Sequence, residues 1–183
     1  MKLSIRIMNQ RLLNIIRHYK KWKLANPDTW VSHCASQATL EAAITQAALS
    51  VNDLGKKHPH QYRLQKVHLE NFGRSINQAR LSLLAANDFT ELYEIILSSR
   101  VYGVGDLAIY DVAVRVGAFL NILPDQIYLH AGARIGAEAL LGRIHAEKIP
   151  KSNLPEEFSQ SDLGCYELED ILCIYKKLLL RNH

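Results

Sequence analysis

The stretch that decides the fold is residues 89–120, FTELYEIILSSRVYGVGDLAIYDVAVRVGAFL. Apolar residues recur in it at helical spacing and predict two helices, over 89–99 and 106–120. Asp88 and Glu91 give the first helix a capping-box-like start, and Asp111 and Arg115 form an i,i+4 pair that is expected to steady the second. The turn Gly103-Val104-Gly105 separates them, and its two glycines can adopt the positive φ angles that a sharp turn requires. We therefore expect a helix–hairpin–helix-like element over residues 97–120.

The rest of the chain also has helical periodicity. It predicts helices over about 3–24, 37–54, 60–86 (with a bend near Gly73), 129–141 and 166–180. The small residues of the helix over 129–141 permit close approach to a neighbouring helix. The last helix has an apolar stripe that is expected to be buried: Leu168, Ile171, Leu172, Tyr175 and Leu179. No alternating strand pattern of useful length occurs, so the predicted fold class is all-α, a compact multi-helix domain. Its length of 183 residues fits one domain. We expect the hairpin in a helical domain over 1–150, with the loop and amphipathic helix of 151–183 packed on that same domain.

Composition narrows the class of protein. A hydrophobic fraction of 48% and a charged fraction of 22% are ordinary for a globular chain. No apolar run reaches the roughly 18 residues of a membrane span, and the N-terminal region lacks the continuous apolar core of a secretory signal. Cys34, Cys165 and Cys173 are too few and too scattered for a disulfide framework. We expect a cytoplasmic protein without a membrane partner.

The charges are unevenly distributed. Residues 1–87 hold 13 Lys/Arg against 4 Asp/Glu, whereas residues 88–183 hold 9 against 14. A basic half suggests an acidic partner such as nucleic acid. Alternatively, the two halves neutralise each other across a shared surface. In the basic first helix, an apolar stripe consists of Met8, Leu12, Ile15, Tyr19 and Trp22. We expect this stripe to dock on the protein's own body; the alternative is a helix that lies on a membrane or on phosphates.

The hairpin resembles the helix-hairpin-helix superfamily and, more loosely, the hairpin-containing base-excision DNA glycosylases. From Tyr102 to Ala108 the chain has the pattern that these proteins share: a hydrophobic residue, Gly, a hydrophobic residue, Gly, two residues and then Ala. The resemblance extends over residues 89–136. It implies that the turn amides hold a DNA phosphate without reading base sequence. It also implies a catalytic aspartate about twenty residues after the second glycine, the position of Asp125. Leu107 replaces the lysine nucleophile of the bifunctional members, so no lyase activity is expected.

The hairpin region is not basic by itself. Residues 88–149 contain 5 Lys/Arg against 8 Asp/Glu, and Asp106 is expected to cap the following helix and compete with a phosphate. Positive charge for nucleic-acid binding must come from elsewhere in the chain. The predicted nucleic-acid-binding residues are Lys56, Lys57, His58, Arg63, Arg100, Gly103, Val104 and Gly105.

Other polar groups predict less specific sites. His130 and Arg134 are spaced i,i+4 and are expected to face Asp125, either as an anion pocket or as a polar cluster that holds a turn. His60 and His68 are eight residues apart, which is too far for joint ligation, so His58 and His60 are expected to be surface histidines. We therefore predict no metal site and no cofactor.

Three functions remain open at this point. The leading hypothesis is a DNA-binding protein with weak sequence specificity. The second is a glycosylase-like hydrolase that uses Asp125, so whether the chain is an enzyme is undecided. The third is a protein–protein interaction module, with self-association as a homo-oligomer.

Overall fold

A computed structural model describes the backbone of residues 2–180 and the side chains of residues 9–180. Its elements, in chain order, are α1 (Lys2–Ala25), α2 (Thr29–Ala35), α3 (Leu40–Leu49), a 3₁₀ turn (Pro59–Gln61), α4 (Lys66–Gln78), α5 (Arg80–Ala85), α6 (Phe89–Ser98), α7 (Asp106–Leu120), β1 (Ile127–Tyr128), α8 (Ala131–Leu141), β2 (Lys148–Ile149), a second 3₁₀ turn (Lys151–Asn153), α9 (Glu156–Ser159), α10 (Cys165–Ile174) and α11 (Lys176–Leu179).

The helices dominate, which confirms the all-α class. Within residues 2–180 the only strands are β1 and β2, two residues each, which pair antiparallel with Ile127 opposite Ile149. No helix in that range is both long and apolar enough to cross a membrane. The contacts divide the chain into two compact units, 1–27 with 125–183 and 28–124. This division differs from the expected one, which set a boundary after residue 150.

In the first unit, α1 packs through its predicted apolar stripe. Leu12, Ile15 and Tyr19 are buried in the core of this unit. Trp22, also assigned to the stripe, is 38% exposed, and Met8 lies outside the described side chains. On the same helix, Lys20 pairs with Asp162 and Lys23 with Asp170. Thus part of the basic charge is neutralised within the unit itself.

The small residues of α8 allow a close helix–helix contact, as predicted. A Cβ on Gly136 would lie 2.1 Å from the backbone oxygen of Leu172 in α10, and one on Gly132 would lie 2.5 Å from Cys173 Sγ. The last predicted helix is in fact two, α10 and α11, which meet at Tyr175. Its predicted stripe is buried as expected: Leu168, Ile171, Leu172, Tyr175 and Leu179.

The second unit consists of α2 to α7. The helix predicted over 37–54 is the shorter α3, and the one predicted over 60–86 is divided. The helix expected over 37–54 is preceded by a separate helix, α2. The carboxylate of Asp28 caps α2 by accepting hydrogen bonds from the backbone N–H groups of Trp30 and Val31. An Asp directly after Pro27 is a typical N-cap, and it is the signal in the sequence for this additional helix.

The stretch expected as one helix over 60–86 comprises a 3₁₀ turn, α4 and α5. The break between α4 and α5 falls at Ala79 and not at Gly73. Gly73 lies in the middle of α4, where a Cβ would be 3.1 Å from Ala48 Cβ in α3. Its role is therefore to let α3 and α4 approach each other, and the predicted bend was wrong.

Candidate nucleic-acid interface

The connector between α6 and α7 contains a tight turn. Val104 N–H donates to Val101 O (3.3 Å), and Gly103, at the third position, has φ +84°. This is the left-handed region that favours glycine. Gly105 has φ −93° and ψ 170°, an extended conformation that any residue adopts. Only one of the two glycines is thus required by the backbone, and the expected positive φ at Gly105 was wrong.

The turn rests on α4. The His68 ring lies under Gly103, where a Cβ would be 2.8 Å from its Cγ. Tyr102 meets the same ring edge-on, with centroids 5.6 Å apart, and its own side chain is 89% exposed. Val104 is buried, its N–H donates to Val101 O and its carbonyl oxygen accepts from Arg100 Nε, so the structure shows it in a packing role.

Arg100 is a structural member of this connector. Its Nε donates to Val104 O (3.1 Å), and its Nη1 pairs with Asp106 Oδ1 (2.8 Å). Gly105 is the N-cap of α7, and no side chain in the described range caps that helix end. The expected capping by Asp106 was therefore wrong. Instead, its charge is compensated by Arg100, and at the start of α7 Gly105 and Asp106 are exposed.

The basic loop, defined as residues 55–65, precedes α4. Lys57 Nζ donates to Leu64 O (2.6 Å), whereas the side chains of Lys56 and Arg63 are exposed. The backbone of Lys56 is held by Trp30 Nε1, which donates to its carbonyl oxygen (2.9 Å). A pocket of about 650 Å³ opens here; its lining is Lys56, Lys57, Pro59, His60, Tyr62 and Arg63.

His60 is exposed, as expected, whereas His58 is largely buried, and both lie beside Asp111 of α7 in a polar cluster. His60 Nδ1 lies 2.9 Å from Asp111 Oδ2, and Gln61 Nε2 donates to the same oxygen (2.6 Å). Burial by itself would raise the pKa of the Asp111 carboxyl. The hydrogen bond from His60 and the charge of Arg115 both lower it, and together with the other polar contacts they outweigh burial, so the pKa lies below its ordinary value. Asp111 is therefore ionised at neutral pH.

Buried Arg115 completes the cluster. Its side chain is 3% exposed, donates to Ser50 Oγ (2.9 Å) and lies 3.8 Å from Asp111 Oδ2, so the expected i,i+4 pair is present. Burial and the Arg115 charge lower the pKa of His58 to about 4. His58 is consequently neutral at neutral pH and adds no positive charge to the loop, contrary to its predicted role.

The basic loop and the connector meet the same end of α7. Asp111, which holds His60, is five residues from the first residue of the helix, or about 8 Å along its axis. His68, near the start of α4, contacts Gly103. Residues 55–80 contain six Lys/Arg against one Asp/Glu. Both segments thus lie in the second unit, where the basic loop contacts α7 at Asp111 and the connector leads directly into α7 and contacts α4.

The remaining predicted residues belong to the first unit. Asp125 is exposed, and its backbone oxygen accepts from Cys165 Sγ (3.1 Å). Arg134 donates to the carbonyl oxygens of Ile144 (2.9 Å) and Ala146 (3.0 Å), and therefore fixes the segment after α8. This favours a structural cluster over an anion pocket. His130 stacks on Tyr128 with a centroid distance of 6.1 Å.

Comparison with known proteins finds no match among protein-family models, curated protein sequences or solved structures.

Proposed function

We propose that the second unit binds the sugar–phosphate backbone of nucleic acid with weak sequence specificity, through the basic loop and the connector at residues 100–105. The observation that supports this is their common attachment to the N-terminal end of α7. The side chains of Lys56 and Arg63 would contact phosphates, and the backbone N–H groups of Gly105 and Asp106, exposed residues at a helix end that no described side chain caps, would receive another.

Charge favours this interface despite the acidic residues nearby. Arg100 compensates Asp106, and His60 with Arg115 compensates Asp111. The basic stretch 55–80 therefore keeps its excess of cations for an external anion. Binding of this kind has dissociation constants of roughly 10⁻⁴ to 10⁻⁶ M near physiological salt and weakens steeply as salt rises.

Two exposed tyrosines favour a single-stranded ligand. Tyr62, next to Arg63, is 75% exposed, and Tyr102 in the connector is 89% exposed. Exposed aromatic rings beside cations stack on unpaired bases, and each such stack contributes about 1–3 kcal/mol. Bases in a duplex are already stacked on one another. We therefore expect tighter binding to single-stranded DNA or RNA than to a duplex of equal length.

Fluorescence anisotropy with labelled oligonucleotides tests the proposal. The double variant Lys56→Gln/Arg63→Gln should bind more weakly, and its plot of log K against log salt should be shallower by about 1.4 for single strands. The matched control is Arg143→Gln/Lys177→Gln, which removes two exposed cations from the first unit. Equal affinities for the two double variants, or no binding by the wild type at low salt, would exclude this interface.

Self-association stays a prediction. Size-exclusion chromatography with light scattering, with and without the oligonucleotide, measures it on the same samples.

A further inference from the structure

His58, His60 and Asp111 each direct one possible ligand atom to a common point. The three atoms all lie within 4.8 Å of one another. His60 Nδ1 is 2.9 Å from Asp111 Oδ2, and His58 Nδ1 is 3.9 Å from that oxygen. Around a tetrahedral zinc ion with bonds of about 2.0–2.1 Å, ligand atoms lie roughly 3.3 Å apart. Shifts on the order of 1 Å would place the three atoms around such an ion.

The protonation states suit coordination of a cation. A metal ligand must be a carboxylate or a neutral imidazole. Asp111 is ionised and His58 is neutral at neutral pH, for the reasons given above. His58 Nδ1 lies 3.1 Å from Gln61 Oε1, which is an acceptor, and 3.3 Å from the backbone N of His60, which is a donor. Coordination through Nδ1 therefore requires the tautomer that carries its ring proton on Nε2. A cation would replace these contacts and the His60–Asp111 hydrogen bond. The proton on His60 Nδ1 would pass through solvent to Nε2 of the same ring, so that the imidazole stays neutral.

The surrounding groups hold the carboxylate in place. Gln61 is fully buried, and its Nε2 donates to Asp111 Oδ2 (2.6 Å). Its Oε1 accepts a long hydrogen bond from Arg115 Nη2 (3.4 Å). Hydrogen bonds of this kind orient metal ligands. His60 is 46% exposed and lines the pocket of the basic loop, which provides an entry path and room for a fourth ligand.

We propose that His58, His60 and Asp111 bind one divalent first-row transition-metal ion, of which Zn²⁺ is the representative. Two imidazoles and one carboxylate favour such ions over Mg²⁺ and Ca²⁺, which prefer oxygen ligands. The Arg115 charge, 3.8 Å from Asp111 Oδ2, opposes the cation and sets the affinity in the micromolar range, at about 1–100 μM. The site does not depend on nucleic-acid binding.

Isothermal titration of the untagged full chain with Zn²⁺ tests the site, and visible absorption of the Co²⁺-loaded chain reports its geometry. We expect one saturable site, tetrahedral Co²⁺ bands, no comparable binding of Mg²⁺, and a rise in Tm of roughly 5–10 °C at a hundredfold excess over Kd. His60→Gln should weaken binding at least about tenfold and, at the same Zn²⁺ concentration, at least halve that rise in Tm.

Two further variants keep the test decisive. His33→Gln removes a half-buried histidine of the same unit that lies outside the cluster, and it should bind Zn²⁺ like the wild type. Asp111→Asn should weaken Zn²⁺ binding as His60→Gln does. If the Asp111→Asn chain fails to fold, the Zn²⁺ affinity of His60→Gln still decides the outcome, because His60 is exposed and its replacement leaves the core intact. Absence of saturable Zn²⁺ binding, or wild-type affinity in His60→Gln, would overturn the proposal.

Discussion

The two glycines of the connector should respond very differently to alanine. Gly103 has φ +84° and faces the His68 ring, whereas Gly105 has an extended backbone, and a Cβ added there would meet no atom within 4 Å. A left-handed conformation costs a non-glycine residue about 1–2 kcal/mol. Displacing the ring at 2.8 Å adds about 1–2 kcal/mol, in the range for overpacking. Replacing glycine by alanine also lowers the conformational entropy of the unfolded chain, which stabilises the folded state by about 0.4–1 kcal/mol.

Gly103→Ala should therefore lower the free energy of unfolding by about 2 kcal/mol, and Tm by roughly 4–8 °C for a chain of this size. Gly105→Ala should stay within about 0.5 kcal/mol of the wild type, because the entropic gain offsets the slightly poorer N-cap. Urea and thermal denaturation, followed by circular dichroism, measure both values.

A double-mutant cycle separates the two causes at Gly103. In a His68→Ala background the ring is absent, so Gly103→Ala should cost only about 1 kcal/mol. If Gly103→Ala and Gly105→Ala have the same Tm, or if the cost at Gly103 is unchanged without the ring, the account of this turn is wrong.

Three further predictions concern packing and titration. Gly136→Ala should destabilise the chain by about 3 kcal/mol or more, since its Cβ would meet a backbone oxygen at 2.1 Å. The control is Gly164→Ala, whose Cβ would lie 3.8 Å from the nearest atom. Equal Tm values for the two variants would contradict the α8–α10 contact. The pKa of His58 is about 4 in the folded chain and 6.5 for an ordinary histidine. Between pH 6.5 and pH 4, therefore, this side chain is protonated only in the unfolded chain. Stability should therefore fall as pH falls through that window, by at most about 3 kcal/mol, and the fall should be smaller in His58→Gln; identical pH profiles would refute this. Burial raises the pKa of the Cys34 thiol to about 11 from 9.0, so at pH 8 it holds about 100-fold less thiolate than an ordinary cysteine. Mass spectrometry after iodoacetamide treatment should show Cys34 unmodified until urea unfolds the chain. Rapid labelling of Cys34 in the folded protein would contradict its burial and its raised pKa.

Local signals in the sequence were sufficient for several elements. The helix over 89–98 begins as predicted, with Asp88 Oδ1 accepting from Glu91 N–H (2.9 Å), although Glu91 reaches back to Asn87 and not to Asp88. The small residues of α8 correctly indicated a close helix contact. Caps and glycine spacing depend on neighbours within a few residues, which is why they are visible in the sequence.

The candidate site depended on contacts that the sequence does not reveal. His60 and Asp111 are 51 residues apart, and only the fold joins them. One signal was nevertheless present. Asp111 and Arg115 stand on a helix that is otherwise apolar around them, with Val112, Ala113 and Val114 between them. A charged pair in such a helix is buried and needs partners, and here these are supplied by the loop that carries His58, His60 and Gln61.

The central claim is that the basic loop and the connector form one nucleic-acid-binding surface on the second unit. Chemical-shift mapping by NMR on the ¹⁵N-labelled chain, titrated with a single-stranded oligonucleotide of about 12 nucleotides, tests it most directly. The account predicts that amides of residues 56–63 and 102–107 shift together, at the same ligand concentrations, while those of the first unit stay in place. Shifts confined to the basic helix α1, or shifts in the loop without any in the connector, would contradict it.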